Sequence, residues 1–195
     1  AVKKLCTRAL LLHKGSLMKE GTPDEVVEYY LQNDKIFSQA DHYFNTENRR
    51  GSGQLMLTGI DFLNREKMPA NILESGMELY IRLRYTAVEK GPNPVFNIVI
   101  RNSLQQQVIN FFSRDAYNGI MQLHKEGAVL IHIKKFPLLP GKYSIDFACR
   151  YDYQLTDKVE NALTIEVEKG DFFGTGRITN SQRDGVAAYH TWHAE

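Results

Sequence analysis

From Gln54 to about Glu168, apolar and polar residues alternate with a period of two. Leu79, Ile81, Leu83 and Tyr85 alternate with Tyr80, Arg82 and Arg84; Phe96, Ile98 and Ile100 alternate with Asn97, Val99 and Arg101. Val129, Ile131 and Ile133 repeat the pattern, as do Tyr143, Ile145, Phe147 and Cys149, and then Leu163, Ile165 and Val167. Such alternation predicts strands with one buried and one wet face. Turn signals separate the runs: Glu74-Ser75-Gly76, Lys90-Gly91-Pro92-Asn93-Pro94, Lys125-Glu126-Gly127 and Pro140-Gly141. With Leu55–Asn64 and Gln107–Ser113 there are about seven short strands, the number an all-β, immunoglobulin-like antiparallel β-sandwich needs. The Cys–Trp–Cys signature of antibody domains is absent, so the expectation concerns architecture alone.

The ends depart from this pattern. Residues 1–31 hold two short strands, Ala9–Leu12 and Ser16–Lys19, around a His13-Lys14-Gly15 turn. A helix start follows. Thr22 suits the N-cap, Pro23 the first helical position, and Glu25 closes a capping box on Thr22. Val26, Val27, Tyr30 and Leu31 form one apolar stripe. A hairpin and one helix are too small to fold alone. Residues 32–53 are polar, end in Gly-Ser-Gly and read as a linker. Residues 170–195 form a tail, Gly-rich at its start, in which Val186, Ala188, His190 and Trp192 alternate as one more strand.

Composition narrows the possibilities. Apolar residues make up 43% of the 195 and charged residues 24%, with a net charge of +1. That is ordinary for a soluble domain and gives nothing to attract nucleic acid. No apolar run approaches a membrane span, and no cleavage site follows Ala9–Leu12, so neither an anchor nor a signal peptide is expected. Ala1 in place of Met reads as a piece of a longer protein. Two distant cysteines, Cys6 and Cys149, suit a reducing compartment better than a disulfide framework.

Catalytic patterns are missing. The chain has no Walker-type phosphate loop, nucleophile elbow or HExxH. His190 and His193 have a spacing zinc pairs use, yet lack further ligands and read as exposed tail residues; no metal site is expected. A glycosidase needs two carboxylates roughly 5 to 10 Å apart. Asp146, Asp152, Asp157, Glu160 and Glu166 read instead as residues of solvated strand faces.

The segment Cys6–Leu31, CTRALLLHKGSLMKEGTPDEVVEYYL, resembles, with Leu5 before it, the end of an ABC-transporter ATPase domain. The ATP-binding motifs of that family lie upstream, so no cofactor is expected here; ATP and Mg would belong to the ATPase domain. Residues 54–192 resemble the C-terminal extensions of Wzt-type ATPase subunits, which export O-antigen polysaccharides. The resemblance rests on Gly59–Leu63, Gly76–Tyr85, Asn93–Arg101, Phe136–Ser144 and Glu160–Leu163, and most of all on the Leu-Leu-Pro-Gly turn and the Gly170–Gly176 run GDFFGTG. It implies a non-catalytic sandwich behind a small αβ remnant of the ATPase. Such a domain binds O-antigen polysaccharide in the cytoplasm, at the inner membrane, and exchanges its last strand within a homodimer. A permease subunit would be reached through the parent protein. The alternative is an assembly domain that dimerises the ATPase and touches no glycan.

The sugar site itself follows from the strand order. Strands at 95–102, 141–151 and 161–168 should share a sheet, with 107–113 beside them. Their outward faces carry Asn97, Val99, Arg101, Asn110, Phe112, Ser144, Asp146, Ala148 and Arg150. Asn, Asp and Arg pair with adjacent hydroxyls, an aromatic offers a platform to a sugar's C–H face, and short side chains leave room. The same pattern also describes a plain solvated sheet face. Tyr80, Arg82 and Arg84 fall on the other sheet and read as a charged surface that resists aggregation. Phe172, Phe173, Val186, Tyr189 and Trp192 of the tail are expected against a partner subunit.

Overall fold

The computed structural model describes residues 6–13, 16–27, 29, 47–88, 91–117, 119, 121–178 and 185–193. The chain divides into two units, residues 1–42 and 43–195.

In the first unit, β1 (Ala9–His13) and β2 (Ser16–Gly21) pair antiparallel, and Arg8 and Glu20 form an ion pair. The capping box expected at Thr22 forms. The Thr22 N–H donates to Glu25 Oε2 at 2.9 Å, and the Glu25 N–H donates to Thr22 Oγ1 at 3.4 Å. The Thr22 backbone bond, more than the hydroxyl, holds the Glu25 carboxyl below the usual carboxylate range. Residues 23–27 are helical. The tip of the hairpin, Lys14-Gly15, and Tyr30 and Leu31 of the apolar stripe lie outside the described residues.

The second unit is a two-sheet sandwich. Its strands are β3 (Leu55–Leu63), β4 (Leu73–Glu74), β5 (Leu79–Ala87), β6 (Pro94–Arg101), β7 (Gln107–Phe112), β8 (Glu126–Ile133), β9 (Gly141–Tyr151) and β10 (Gln154–Glu168). One sheet has the order β4-β10-β9-β6-β7, the other β3-β5-β8. All pairings are antiparallel except β4 with the end of β10. The seven expected strands are therefore present, with β4 added, and the four expected to share a sheet, β6, β7, β9 and β10, do so. The alternation works as anticipated: Ile81 and Leu83 on β5, Ile98 and Ile100 on β6, and Ile145 on β9 are fully buried between the sheets.

The Leu-Leu-Pro-Gly turn has a structural explanation. Phe136 and Leu138 are both fully buried and plug one end of the core. Tyr143 Oη donates to the carbonyl of Leu139, four residues upstream, at 2.6 Å, and accepts the Gly185 N–H at 2.9 Å. A buried tyrosine that ties its own strand to the preceding corner is a recurrent device of immunoglobulin-like sandwiches.

β10 is longer than its alternation suggests, because two register shifts interrupt it, at Leu155/Asp157 and Val159/Leu163. The first shift aims Asp157 between the sheets, where it is 2% exposed. Its carboxylate accepts Arg49 Nε at 2.8 Å, Arg49 Nη2 at 2.7 Å and the Leu57 N–H of β3 at 2.8 Å. Arg49 Nη2 also donates to the Leu57 carbonyl. One carboxylate thus joins β10, β3 and the segment before β3, and its bonds hold the Arg49 guanidinium above its usual pKa. Arg50 N and O pair with Lys158, and the Ser52 and Gly53 N–H groups donate to Leu155 and Thr156. Residues 49–53 therefore belong to the sandwich, edging β10, and the linker expectation does not hold for them; residues 32–46 lie outside the described residues.

Removing one partner of a buried pair strands the other. Asp157→Ala should lower stability by about 2–4 kcal/mol, toward the low end for such pairs because Arg49 reaches solvent. Arg50→Ala, which breaks an exposed pair with Glu160, should cost under about 0.5 kcal/mol. Urea unfolding midpoints at unchanged slope measure both; equal, small shifts would contradict the clamp.

Candidate functional site

Cross-strand register assembles the outer face of the five-stranded sheet row by row. Phe112 of β7 opposes Asn97 of β6, which opposes Ala148 of β9, which opposes Lys158 of β10. The next row runs Asn110, Val99, Asp146, and the row after that Arg101, Ser144, Thr164. Arg150 stands at the opposite end, across from Val95 and Leu155. All nine sequence-identified residues thus share one surface. The floor is low: Ala148 is 6% exposed, and Asn97 and Val99 are half-buried. Phe112 and Asn110 flank it on the β7 side, Lys158, Glu160 and Arg50 on the β10 side.

Asp146 has a different role from the one its pattern suggests. It is 6% exposed, accepts Arg101 Nε at 2.8 Å, and accepts the Asn161 N–H at 2.8 Å. Asn161 has φ +50° and lies in the second register shift of β10. Asp146 therefore holds a bulge and fixes Arg101, whose Nη1 also donates to the Gln105 carbonyl at 3.2 Å. Ala148 and Asp146 are floor, not exposed contacts. Arg150, by contrast, makes no ion pair or hydrogen bond among the described residues.

Glu160 joins two cations, Lys158 at 2.5 Å and Arg50 at 2.8 Å. The hydrogen bond from Lys158, reinforced by the charges of Lys158 and Arg50, holds its carboxyl below the usual range. This trio was not legible in the sequence: the shifts in β10 hide its alternation, and Arg50 sits in a stretch that reads as linker. Two polar atoms of the face, Asn97 Oδ1 and Ser144 Oγ, are enclosed and have no hydrogen-bond partner among the described residues; Ser75 Oγ and Thr156 Oγ1 share this condition elsewhere. Buried polar groups nearly always find a partner, so such atoms call for water or ligand.

The other sheet presents a charged surface. Arg84 pairs with Asp61 at 3.3 Å and lies against Gly59, where a Cβ would meet its guanidinium at 2.5 Å. Tyr80 and His132 stack with centroids 4.3 Å apart, and His132 reaches Glu78 at 2.7 Å. Asp157 faces the core and Asp146 the outside, and each is locked to an arginine. Among the described residues no group of three or more His, Cys, Asp or Glu is placed to hold a metal.

The tail begins with a fixed turn rather than a loose one. Asp171 accepts three backbone N–H groups, from Gly174 at 2.9 Å, Thr175 at 3.1 Å and Gly176 at 2.6 Å. Gly174 and Gly176 have φ +71° and +77°, so the glycines serve conformation here, not flexibility. Phe172 is 4% exposed and lies under Lys135, which makes it a core residue of its own subunit rather than a free tail aromatic. Further on, Leu139 N–H donates to Gly185 O at 2.9 Å and Ala187 N–H to Pro137 O at 2.7 Å. No strand forms over 186–192; Val186 makes one bridge to Leu138. Beyond Ala187 the tail is exposed, Tyr189 by 69% and Trp192 by 88%, with Phe173, His190 and Trp192 in edge contacts around a cavity of about 640 Å³.

These features define a class: an immunoglobulin-like β-sandwich whose distinctive surface is a sheet face. The Wzt C-terminal domain family matches residues 46–180, and the chain belongs to that family. Wzt is the ATPase subunit of an ABC transporter, and the family is its non-catalytic C-terminal domain. Among solved structures, the crystal structure of the C-terminal domain of Wzt is similar over 78% of this chain and 92% of that one, with a TM-score of 0.62 at 10% identity. A putative beta-galactosidase from Bacteroides fragilis matches over 60% of this chain and 18% of its own, at 13% identity and a TM-score of 0.42. No curated protein sequence matches the chain. Among the described residues no helix is long and apolar enough to cross a membrane.

The three bonds from Gly176, Thr175 and Gly174 hold the Asp171 carboxyl below its usual range. A depressed carboxylate contributes its stabilisation above its unfolded pKa and loses it as pH falls through the folded one. Amide NMR signals of Gly174, Thr175 and Gly176 should therefore stay in place down to the usual aspartate range and move together only below it. In Asp171→Ala they should lie at their displaced positions at neutral pH; unchanged signals in that variant would contradict the turn.

Proposed function

We propose that this domain binds an O-antigen polysaccharide along the outer face of the five-stranded sheet and so selects the substrate for export. The observation that supports it most is the pairing of a low floor, where Ala148 is 6% exposed and Asn97 and Val99 are half-buried, with the polar rims of Asn110, Lys158 and Arg150. Adjacent hydroxyls of a sugar pair with the exposed amide of Asn110, Arg150 and Lys158 donate charge-assisted bonds, and Phe112 offers a ring. On this reading the domain works in the cytoplasm beside a permease subunit, and ATP and Mg serve the ATPase domain. Its end would be the β1–β2 hairpin. Leu10, Leu12 and Leu17 there are each more than half exposed, as befits a fragment whose covering is elsewhere.

Titration of the chain with O-polysaccharides of several serotypes tests this. One should bind, and Arg150→Ala or Asn110→Ala should weaken it about tenfold, the value of one good hydrogen bond to or from a ligand. Ala148→Tyr, which fills the floor, should abolish it. Asp146→Ala is a poor probe because it releases a bulge. Normal binding by all three surface variants would place the site elsewhere, and no binding to any glycan would favour the assembly reading.

A second reading, compatible with the first, is a strand-exchanged homodimer. Tyr189 and Trp192 stay exposed past Ala187, the last docked residue, and exposed apolar residues on unpaired backbone favour pairing with another chain. Sedimentation should give about 45 kDa, twice the 22.4 kDa chain. Deleting residues after Ala187, which spares the contacts to Pro137 and Leu139, should give monomers; an unchanged dimer would contradict the exchange.

A further inference from the structure

The two-residue turn between β9 and β10 puts a large aromatic where turns usually carry small polar residues. Tyr153 is 89% exposed, the most exposed of the large hydrophobic side chains described. It is nevertheless held in place. The Arg114 guanidinium lies 5.3 Å from its ring centroid. Arg114 Nη2 in turn donates to the Asp152 carbonyl at 3.3 Å and sits 3.7 Å from the Asp152 carboxylate. Asn93 Nδ2 donates to Asp152 Oδ1 at 2.7 Å, and the Asp152 N–H to the Asn93 carbonyl at 3.3 Å. Asn93 and Asp152 both have positive φ, +45° and +48°. Two strained turns are thus bonded to each other and to one arginine, with a tyrosine ring braced at their tip; strain of this kind concentrates at functional sites.

The position relates this cluster to the sheet face. Arg114 belongs to the single helical turn Ser113–Ala116, which follows Phe112 directly and fixes the start of β6 through Ser113 Oγ, the acceptor of the Phe96 N–H at 3.0 Å. Tyr153 follows Arg150 by three residues, so it stands at the Arg150 end of the face. From the Arg101 row to the Val95 row the face runs about 20 Å at a strand rise of about 3.3 Å, room for several sugar units rather than one. A ring whose one side is occupied by a cation presents its other side to a ligand's C–H face. Among the described residues nothing around the ring excludes water, since Tyr153 is 89% exposed, whereas a protein hot spot sits in a desolvated pocket whose neighbours keep water out.

The geometry points to Tyr153 as an aromatic stacking subsite for a pyranose unit at the loop end of the face, braced by Arg114, Asp152 and Asn93. This rests on the glycan reading above and extends it from one patch to a track for a polymer. Calorimetric titration of the full chain with the O-polysaccharide of the source strain, and with long fragments from its partial hydrolysis, tests it. Tyr153→Ala should weaken binding about five- to tenfold, a stacking contribution. Tyr153→Trp should bind within about twofold of wild type, since it keeps a ring. Arg114→Ala should fall between the two, because the ring stays but loses its brace. Full exposure of Tyr153 leaves folding unaffected, which the urea midpoint checks. Undiminished binding by Tyr153→Ala, while Arg150→Ala weakens it, would overturn the subsite and leave the glycan reading standing. No binding by the wild-type chain would overturn both. A change in sedimentation with unchanged glycan affinity would assign Tyr153 to a protein contact and overturn the inference.

Discussion

The carboxylate of Asp157 sits between two sheets, 2% exposed, and is accepted there only because every bond it needs is supplied. Arg49 neutralises it with two hydrogen bonds, and the Leu57 N–H adds a third. Register shifts lie at both ends of this contact, in β10 at Leu155/Asp157 and in β3 at Leu57/Gly59. Each shift interrupts a ladder, and the clamp gives the interrupted backbone its partner. Asp146 repeats the arrangement on the opposite side of the sheet. It too joins an arginine and a backbone N–H, and it holds the second shift of β10. β10 thus carries two bulges, one tied inward and one outward, each by a buried aspartate.

This division sets what the outer face can do. The inward clamp lets the two sheets close over their apolar residues without help from outside, so the outer face is not needed for the core. The outward one brings Arg101 down against the sheet and leaves Arg150, Asn110 and Lys158 as the reaching side chains. A glycan competes with water for every hydrogen bond, so a face with fixed polar groups and little side-chain entropy left to lose suits it better than a field of mobile lysines. The same logic applies at Tyr153, where ring and brace are ordered before any ligand arrives.

The sheet assignment and the nine face residues were readable from alternation, because period two settles which side chains share a face once strand order is known. Alternation fails where the register shifts. Residues 154–160 of β10 therefore were not read as strand, so Asp157 and Glu160 passed for plain surface carboxylates and Lys158 was missed; Arg49 and Arg50 look like linker because their partners are 108 and 110 residues away. Asp146 shows the converse: the pattern places it correctly on the outer face but cannot say that it is consumed by its neighbours. The tail misled in a similar way. Glycines at 174 and 176 suggest looseness, whereas Asp171 uses their positive φ to build a rigid turn, and the alternation of 186–192 finds no second strand to pair with among the described residues beyond Ala187.

That the outer face, rather than the β3-β5-β8 surface with its Arg84–Asp61 pair, meets the polysaccharide is open to direct mapping. Amide NMR of the chain with and without a bound O-polysaccharide reads both sheets at once. The account predicts shifts that cluster on β6, β7 and β9 around Asn97, Asn110 and Arg150 and continue to Tyr153, with β3, β5 and β8 silent. Shifts confined to β5 and β8, around Tyr80 and His132, would contradict it.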